Sequence, residues 1–406
     1  METKSAASLP DGDAETKKNE NEMYRPWSNL PDLLIHMIYD RLDLKEKIRF
    51  ASVCVNWGSA APKFPIGSPQ KLIPWLLFPH DSLTETVSFF NLPENMIYHV
   101  RIPKVNMHLC RGSSEGWLFL FADVRDDQCF LLNPFTKNLI RLPPLGTKPR
   151  RSVLKMILSS NPDTSEDWKV IVQLTSSGLL FCESGDMSWS IGLPQNRSDF
   201  DYENIIFCDG KVYGYGLSTP SLWVFDLKTQ QQTFKSCRKP NHLSHNLISY
   251  LVESNGEIFL VARFLKNCDQ SEEAANYHYR TFKFELYKLM KENDGYGYEN
   301  GRVRQYEYGW VRQSNLGADQ ALFLSKTGSK FVSTIENPRV HSNSIYFTND
   351  LHPRTAKVCD TGVCHVEDGQ IEPFLPFNSI SVKFPSAWLV CDVEETSDEF
   401  LSELDQ

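Results

Sequence analysis

The sequence predicts a multidomain chain of class α plus all-β, in which a short helical segment precedes a long array folded as a β-propeller. Apolar residues recur at helical spacing only in the segment from Trp27 to Phe64. Later, short β-prone runs alternate with Gly, Asn, Asp and Pro as far as residue 391. Pairs of a polar residue and glycine repeat there at an average spacing of about 51 residues, close to the ~40–50-residue period of propeller blades. We expect six blades, with seven as the alternative.

Length and charge divide the chain in the same way. Its 406 residues are 41% hydrophobic, enough for two or three domains. The net charge of −9 comes from the two ends, because residues 1–24 carry six acids against three lysines and residues 392–406 carry seven acids and no base. The body is therefore close to neutral and lacks the concentrated basic charge of a nucleic-acid binder. Residues 1–24 and 392–406 are predicted to be disordered acidic tails.

Targeting signals and metal-binding patterns are not found in the sequence. The longest apolar runs fall far short of the ~18 residues that a membrane span needs, and the first 22 residues lack an apolar signal-peptide core. We therefore expect the chain in the cytoplasm, the nucleus or both, without membrane association. The ten cysteines stand singly with no CxxC pair, which favours buried reduced thiols over disulfides or zinc. No metal and no cofactor are expected.

The helical segment begins with an apolar stripe. Leu30, Leu34, Ile38 and Leu42 recur every four residues with Ile35 beside them, which predicts an amphipathic helix of about three turns. Ser28 is its expected N-cap, and Pro31 lies in its first turn.

Two shorter helical stretches follow this stripe. The run from Asp43 to Phe50 predicts a second helix, and an apolar face from Val53 to Trp57 predicts a third that ends at Gly58. About 40 residues bury little on their own, so this module needs a partner surface or a neighbouring domain.

The order of motifs in this segment resembles the F-box. The matching patterns are W-x-x-L-P-D-L-L-x-x-x-I at Trp27–Ile38 and R-F-x-S-V-C-x-x-W at Arg49–Trp57. The resemblance places an F-box at residues 25–64 and implies a three-helix module that docks on the Skp-type adaptor of cullin–RING ubiquitin ligases. By position it assigns adaptor binding to Leu30, Pro31, Leu34, Ile38, Leu42, Val53, Cys54 and Trp57. The alternative is that these residues only form the core of a helical cap.

The body of the chain contains ten β-prone runs. They are Gly116–Phe121, Cys129–Leu132, Lys169–Val172, Leu179–Cys182, Lys211–Tyr213, Leu222–Phe225, Glu257–Val261, Lys283–Tyr287, Lys330–Val332 and Ser344–Phe347. Six polar-glycine pairs precede such runs or lie close before them: Glu115-Gly116, Ser177-Gly178, Asp209-Gly210, Asn255-Gly256, Thr327-Gly328 and Asp368-Gly369. Asp-Gly and Asn-Gly supply the positive φ angles of tight hairpins.

Eight linear motifs in this region are similar to the KIB-type propeller domain of plant F-box proteins. They are Cys110–Trp117, Phe130–Thr136, Ile140–Pro144, Leu158–Pro162, Phe181–Trp189, Val224–Asp226, Tyr250–Ser254 and Ile345–Asp350. The resemblance assigns a KIB-type propeller to residues 65–391 and implies a receptor for a protein whose identity the motifs do not reveal.

Nucleotide-binding and zinc-protease motifs are missing from the sequence, which contains no G-x-x-x-x-G-K-[ST] or H-E-x-x-H pattern. The segments Gly295–Gly301 and Lys266–His278 are predicted to be surface loops. Three tryptophans in or beside strand runs, Trp117, Trp189 and Trp223, are assigned to the core. Exposed loop aromatics are the candidates for substrate contact: Tyr296, Tyr298, Tyr306, Tyr308 and Trp310.

These observations favour a non-catalytic substrate-recognition subunit of an SCF-type (Skp–cullin–F-box) E3 ubiquitin ligase. Its partners would be a Skp-type adaptor, a cullin reached through that adaptor, and a protein substrate held by the propeller. The alternative is a non-ligase propeller scaffold that binds a regulatory protein such as a kinase. A propeller enzyme is disfavoured because no catalytic constellation is found.

Overall fold

A computed structural model divides the chain into two units, Met1–Pro62 and Lys63–Gln406. The structure describes residues 27–39, 41–42, 50, 53–60, 73–78, 86–93, 95–101, 110, 112–121, 128–145, 153–174, 178–192, 204–216, 221–240, 243, 247–267, 279–299, 302–335, 339–350, 360–373 and 387–389. None of the helices in these ranges is long and apolar enough to cross a membrane. Both predicted acidic tails lie outside the described residues.

The first unit is helical. It contains a 3-10 helix at Trp27–Asn29, helix α1 at Asp32–Tyr39 and helix α2 at Val55–Ala60. Helix α1 is shorter than predicted, about two turns, and Ser28 does not cap it, since its hydroxyl donates to Asn29 Oδ1. Helix α2 continues through Gly58, so the predicted end there is wrong. The second predicted helix lies outside the described residues except for Phe50, which is helical.

The second unit consists of groups of strands that are mostly antiparallel. Group 1 contains β1 (Trp75–Phe78), β2 (Thr86–Asn91), β3 (Met96–Arg101) and β25 (Ala387–Leu389) in the order β25-β1-β2-β3. Group 2 contains β4 (Gly112–Ser114), β5 (Trp117–Phe121), β6 (Cys129–Leu132) and β7 (Leu139–Leu142) in chain order. Group 3 contains β8 (Val153–Leu158), β9 (Lys169–Leu174), β10 (Leu179–Glu183) and β11 (Ser190–Gly192), also in chain order.

The next two groups join into one eight-stranded sheet. Group 4 contains β12 (Asn204–Cys208), β13 (Lys211–Tyr215), β14 (Ser221–Asp226) and β15 (Gln232–Arg238). Group 5 contains β16 (Leu247–Ser254), β17 (Glu257–Asn267), β18 (Tyr279–Glu299) and β19 (Arg302–Gln313). The junction is short and parallel, pairing Cys237 with Tyr308 and Arg238 with Gly309.

Group 6 is a five-stranded sheet with one parallel pair. It contains β20 (Gln320–Leu324), β21 (Lys330–Ser333), β22 (Ser344–Phe347), β23 (Gly362–His365) and β24 (Ile371–Glu372) in the order β21-β20-β22-β23-β24. The strands β20 and β22 are parallel, and the other pairs in this sheet are antiparallel.

Hydrophobic cores lie between consecutive groups. One cluster joins groups 2 and 3, and further clusters join 3 to 4, 4 to 5, 5 to 6 and 6 to 1. Groups 1 and 2 meet where the Phe89 and Phe135 rings lie 5.5 Å apart. The inner strands β25, β4, β8, β12, β16 and β21 are neighbours in that order. Sheets that pack in succession around a set of inner strands form a β-propeller.

The strand predictions are confirmed by the structure. Nine of the ten predicted runs lie entirely in strands, and the tenth, Gly116–Phe121, does so except for Gly116, which is in the turn before β5. The runs Cys129–Leu132 and Ser344–Phe347 match β6 and β22 residue for residue. Trp117 and Trp223 are buried, and Trp189 is partly buried against the core between groups 2 and 3. The strand predictions succeed because a strand that is buried on both faces has a continuous apolar run in the sequence. Trp117–Phe121 is an example, since all five of its residues are buried.

Five of the six polar-glycine pairs fall into two structural classes, and in the sixth, Asp368-Gly369 between β23 and β24, only the glycine has a positive φ. The pairs at Gly116, Gly210 and Gly256 have positive φ at both residues and connect the first two strands of groups 2, 4 and 5. This is the backbone that a two-residue hairpin turn requires. By contrast, Gly178 precedes β10 and Gly328 precedes β21, and neither has a positive φ among the described glycines. The repeat therefore marks hairpins at non-equivalent places in the blades.

Seven cysteines lie in the part of the chain that the structure describes, and none of them forms a disulfide there. Five of them are buried: Cys129, Cys182, Cys208, Cys237 and Cys364. Burial raises the pKa of Cys182 and Cys237 to about 12, helped by Asp186 and Glu183 at Cys182 and by Glu292 at Cys237, where Arg238 opposes the shift. Within the same residues, no three His, Cys, Asp or Glu side chains are grouped as metal ligands.

Candidate docking surfaces

Helix α1 buries one narrow face in the core of the first unit. Ile35 and Tyr39 are buried, one helical turn apart, together with Phe50. The Phe50 ring meets Tyr39 edge to face at 5.6 Å and stacks on Trp57 at 4.4 Å. This small aromatic core fixes the orientation of α1 relative to α2.

Three hydrogen bonds hold the two helices and the 3-10 helix together. Trp57 Nε1 donates to Trp27 O at 2.8 Å, and Asn56 Nδ2 donates to Ser28 O at 2.6 Å. His36 Nε2 donates to Ala60 O at 2.8 Å. These bonds satisfy carbonyls at helix ends, so they add rigidity to a unit whose buried core is small.

The opposite face of α1 is an apolar ridge that stays exposed. Its four side chains are Leu33, Leu34, Met37 and Ile38, which are 71%, 43%, 48% and 37% exposed. Val53, just before α2, is 59% exposed. We call these five residues the apolar ridge. A concentration of exposed apolar side chains on one short helix is typical of a surface that another protein covers.

The predicted adaptor-binding residues divide between this ridge and its support. Pro31, Leu34, Ile38 and Val53 are exposed, whereas Leu30, Leu42 and Trp57 pack partly buried against the core. Cys54 is half-buried, and its Sγ accepts the Trp57 backbone N–H at 3.5 Å. Sequence reasoning missed Leu33 and Met37, although their spacing of four residues beside Leu34 and Ile38 was a usable signal.

The second predicted surface lies on the β18–β19 hairpin, and its prediction as a loop is wrong. Strand β18 extends to Glu299 and pairs with β19 as far as Arg302, with an irregularity between Lys291 and Gly295. Only residues 279–288 of β18 pair with β17. The outer part of the hairpin is therefore a two-stranded ribbon that continues past its neighbour in the sheet.

The candidate aromatics on this hairpin differ in exposure. Tyr296 is 65% exposed, Tyr308 is half-buried, and the side chain of Tyr298 lies outside the described residues. The expected exposure of Tyr306 and Trp310 is wrong, because both are buried. In β19 alternate side chains point to the same face, and this places Trp310 in the core, 5.0 Å from the Tyr215 ring.

A buried charge network links groups 5 and 6 of the propeller. The Arg263 guanidinium is fully buried and donates to Asp360 Oδ2 at 2.9 Å, Thr281 Oγ1 at 2.7 Å and Thr348 O at 2.8 Å. Tyr250 OH donates to Asp350 Oδ2 at 2.7 Å. Burial is the main cause that raises the pKa of Asp350, and the Arg263 charge opposes it. The polar groups of this network hydrogen-bond to one another, so the network joins the two sheets.

Comparison with known proteins decides the family. The sequence matches the family described as KIB1-4 beta-propeller over residues 89–372, more than half of the chain. The chain belongs to the KIB1-4 beta-propeller family. It also matches the F-box domain over residues 27–68, the region of the apolar ridge.

The relatives of this KIB-type protein are F-box proteins of Arabidopsis thaliana. "Putative F-box protein At4g22170" is 26% identical over 93% of this chain and 98% of its own length. "F-box/kelch-repeat protein At1g57790" is 26% identical over 60% of this chain and 69% of its own length. Among solved structures, a streptogramin B lyase aligns with 66% of this chain and 93% of its own at 8% identity, with a TM-score of 0.33.

The chain is thus a plant F-box protein with a KIB-type propeller. F-box proteins serve in general as substrate-recognition subunits of SCF-type ubiquitin ligases, and an F-box implies binding to a Skp-type adaptor. An F-box joined to a propeller is an architecture typical of non-catalytic subunits.

Proposed function

We propose that this chain captures a protein substrate with its propeller for an SCF-type E3 ubiquitin ligase, while its F-box docks the Skp-type adaptor and, through it, a cullin. The chain performs no covalent step and contributes proximity and orientation. The observation that carries the proposal is the apolar ridge, which lies in the segment that matches the F-box domain.

The ridge is well suited to be the adaptor contact. Each exposed Leu, Ile or Met side chain gains roughly 1.5–3 kcal/mol when it is fully transferred out of water. The buried core of the unit consists of Ile35, Tyr39 and Phe50 among the described residues, and the ridge residues stay outside it. We therefore assign adaptor contact to Pro31, Leu34, Ile38 and Val53 and add Leu33 and Met37. Leu30, Leu42, Cys54 and Trp57 support that surface from beneath.

The propeller in this proposal has six blades, one for each group of strands. The support is the order of the inner strands and the packing of every group on the next, including group 6 on group 1. The paired strands β15 and β19 then connect two blades at their outer edges.

Substrate capture is assigned to the outer part of the β18–β19 hairpin. Tyr296 and Val303 are 65% and 60% exposed on neighbouring strands, and an exposed tyrosine is a frequent anchor in protein interfaces. We retain Tyr296, Tyr298 and Tyr308 as candidate contacts. Tyr306 and Trp310 act from the core, where they hold the base of the hairpin.

The adaptor contact is tested with the double variant Leu34→Ala plus Ile38→Ala. We expect its affinity for a Skp-type adaptor to fall on the order of tenfold or more, because interface centres carry most of the binding energy. Isothermal titration calorimetry with purified adaptor measures the loss, and circular dichroism confirms that the variant is folded. Leu139→Ala is the matched control, since Leu139 is 52% exposed on the propeller.

If the folded double variant binds the adaptor as tightly as wild type does, the apolar ridge is not the adaptor contact. Ligase function has a separate readout, which is ubiquitination of a propeller partner in a reconstituted SCF reaction. A partner that binds the propeller but is never modified there would instead favour a non-ligase scaffold.

A further inference from the structure

The inner strands of the propeller line a cavity of about 170 Å³ that is open on one side. Its wall is formed by β4, β8, β12 and β16, with the start of β21 and Trp388 of β25. One ordered water needs only ~10–15 Å³ measured in this way. The cavity is therefore large enough to hold a small ligand at the centre of the propeller.

One wall of this cavity carries a buried cation with few partners. Lys155 is 9% exposed, and its Nζ donates to Ile205 O at 3.1 Å. An ammonium group has three donors, and this carbonyl is its one acceptor among the described residues. Burial lowers the pKa of Lys155 to about 8, with no compensation from a neighbouring carboxylate in the described part of the chain.

A hydroxyl on the next inner strand is also unsatisfied. Ser113 is 3% exposed, and its Oγ has no hydrogen-bond partner among the described residues. The other serines of the cavity wall are already engaged, since Ser114 Oγ accepts from Leu158 N at 3.0 Å and Ser329 Oγ donates to Ser325 O at 2.9 Å. Buried donors without acceptors are costly, so their presence in a cavity wall points to an acceptor ligand.

The other charged residues of the wall do not supply that acceptor. Glu115 and Lys330 are exposed. Glu253 is half-buried and accepts the Gly256 N–H at 2.8 Å through its Oε1. The wall thus carries two carboxylates, Glu115 in a hairpin turn and Glu253 near the end of β16, and two ammonium groups, Lys155 and Lys330. Of these four groups only the Lys155 ammonium belongs to a buried residue, on β8.

We propose that this cavity binds a small free oxyanion, a compound with a carboxylate or phosphate group, through Lys155 and Ser113. An oxyanion accepts several hydrogen bonds at once and neutralises the ammonium, and charge-assisted bonds of this kind are among the strongest in proteins. The site lies in the propeller and does not depend on adaptor docking by the F-box.

The test uses the full-length chain with sodium phosphate and sodium acetate as probes, each compared with sodium chloride at equal ionic strength. We expect at least one oxyanion to raise the melting temperature in a saturable way, as a ligand specific for the folded state does. Calorimetric titration with the same probe gives the affinity. The stronger probe identifies the site as one for phosphate or for carboxylate.

Variants locate the binding at the cavity. Lys155→Met should lose affinity on the order of tenfold or more, and it should melt no lower than wild type in chloride because a buried charge is removed. Ser113→Ala should bind several-fold more weakly. The control Lys228→Met removes an exposed turn lysine and should bind as wild type does.

Two results would overturn the site. One is that neither oxyanion raises the melting temperature beyond chloride, and the other is that Lys155→Met responds to the probe as wild type does. If Lys155→Met does not fold, unchanged affinity in Ser113→Ala and Lys155→Gln together has the same meaning. Adaptor affinity, measured in parallel, should be equal in all these variants.

Discussion

Helix α1 and strand β5 are both rich in apolar residues, but only β5 buries them within the chain. All five residues of β5 are buried between two blades, whereas in α1 only Ile35 and Tyr39 are buried. Both segments have the hydrophobic character that usually predicts core. The difference shows that apolar residues in excess of the available core, as on the ridge of α1, are the ones that a partner must cover.

The largest expected effect tests how much the stability of the propeller depends on the buried Arg263 network. Arg263→Ala should lower the free energy of unfolding by roughly 3–5 kcal/mol, because it leaves the buried carboxylates of Asp350 and Asp360 without their cation. Urea denaturation followed by fluorescence measures this loss.

Arg312→Ala provides the matched comparison on the surface of the same unit. Arg312 is 64% exposed and lies 3.3 Å from Glu285, so its removal should cost less than ~1 kcal/mol. A loss in Arg263→Ala no larger than that in Arg312→Ala would contradict the expected cost of leaving two buried carboxylates without their cation.

An intermediate effect sharpens the contrast between the two faces of α1. Ile35→Ala should destabilise the first unit by about 2–4 kcal/mol, because Ile35 is fully buried against Tyr39 and Phe50. Leu33→Ala should change its stability by no more than ~0.5 kcal/mol, since Leu33 is 71% exposed. Thermal unfolding monitored by circular dichroism compares them. A comparable loss in Leu33→Ala would mean that the ridge is covered within the chain.

The smallest effect concerns the dependence of propeller stability on alkaline pH. Burial raises the pKa of Cys182 and Cys237 to about 12 in the folded chain from an ordinary value of 9.0. Between these values the unfolded chain has released the thiol proton and the folded chain still holds it, so stability falls as pH rises. The expected slope is at most about 1.4 kcal/mol per pH unit for each thiol.

Chemical denaturation midpoints at pH 8 and pH 10 measure this slope. The double variant Cys182→Ala plus Cys237→Ala is the control, because removing both thiols should flatten the response. A slope that stays the same in this variant would assign the alkaline sensitivity to other groups.

The positions of the strands could be predicted from the sequence, but which side chains of a strand face the solvent was predicted poorly. In β19, aromatic and polar residues alternate, and Tyr306, Tyr308 and Trp310 lie on one face. The glycine-rich run before them suggested a loop and hid this period of two. Their burial follows from the alternation, so the signal was present in the sequence.

Other features could not be predicted from local sequence. The partners of Arg263 lie 13 to 97 residues away along the chain, and no periodic pattern connects them. The same holds for the cavity wall, whose lysine and serine come from different blades. Within α1, by contrast, helical geometry predicts which residues are buried and which form the ridge once Tyr39 is assigned to the core.

Strand β25 affects how the propeller folds during synthesis on the ribosome. It pairs with β1 near the start of the propeller, and Trp388 packs against Phe323 with ring centroids 4.8 Å apart. At ~5–20 residues translated per second, the first blade waits on the order of tens of seconds for its inner strand. During that interval the edge of β1 lacks its partner strand, and an unpaired strand edge is a site of wrong pairing.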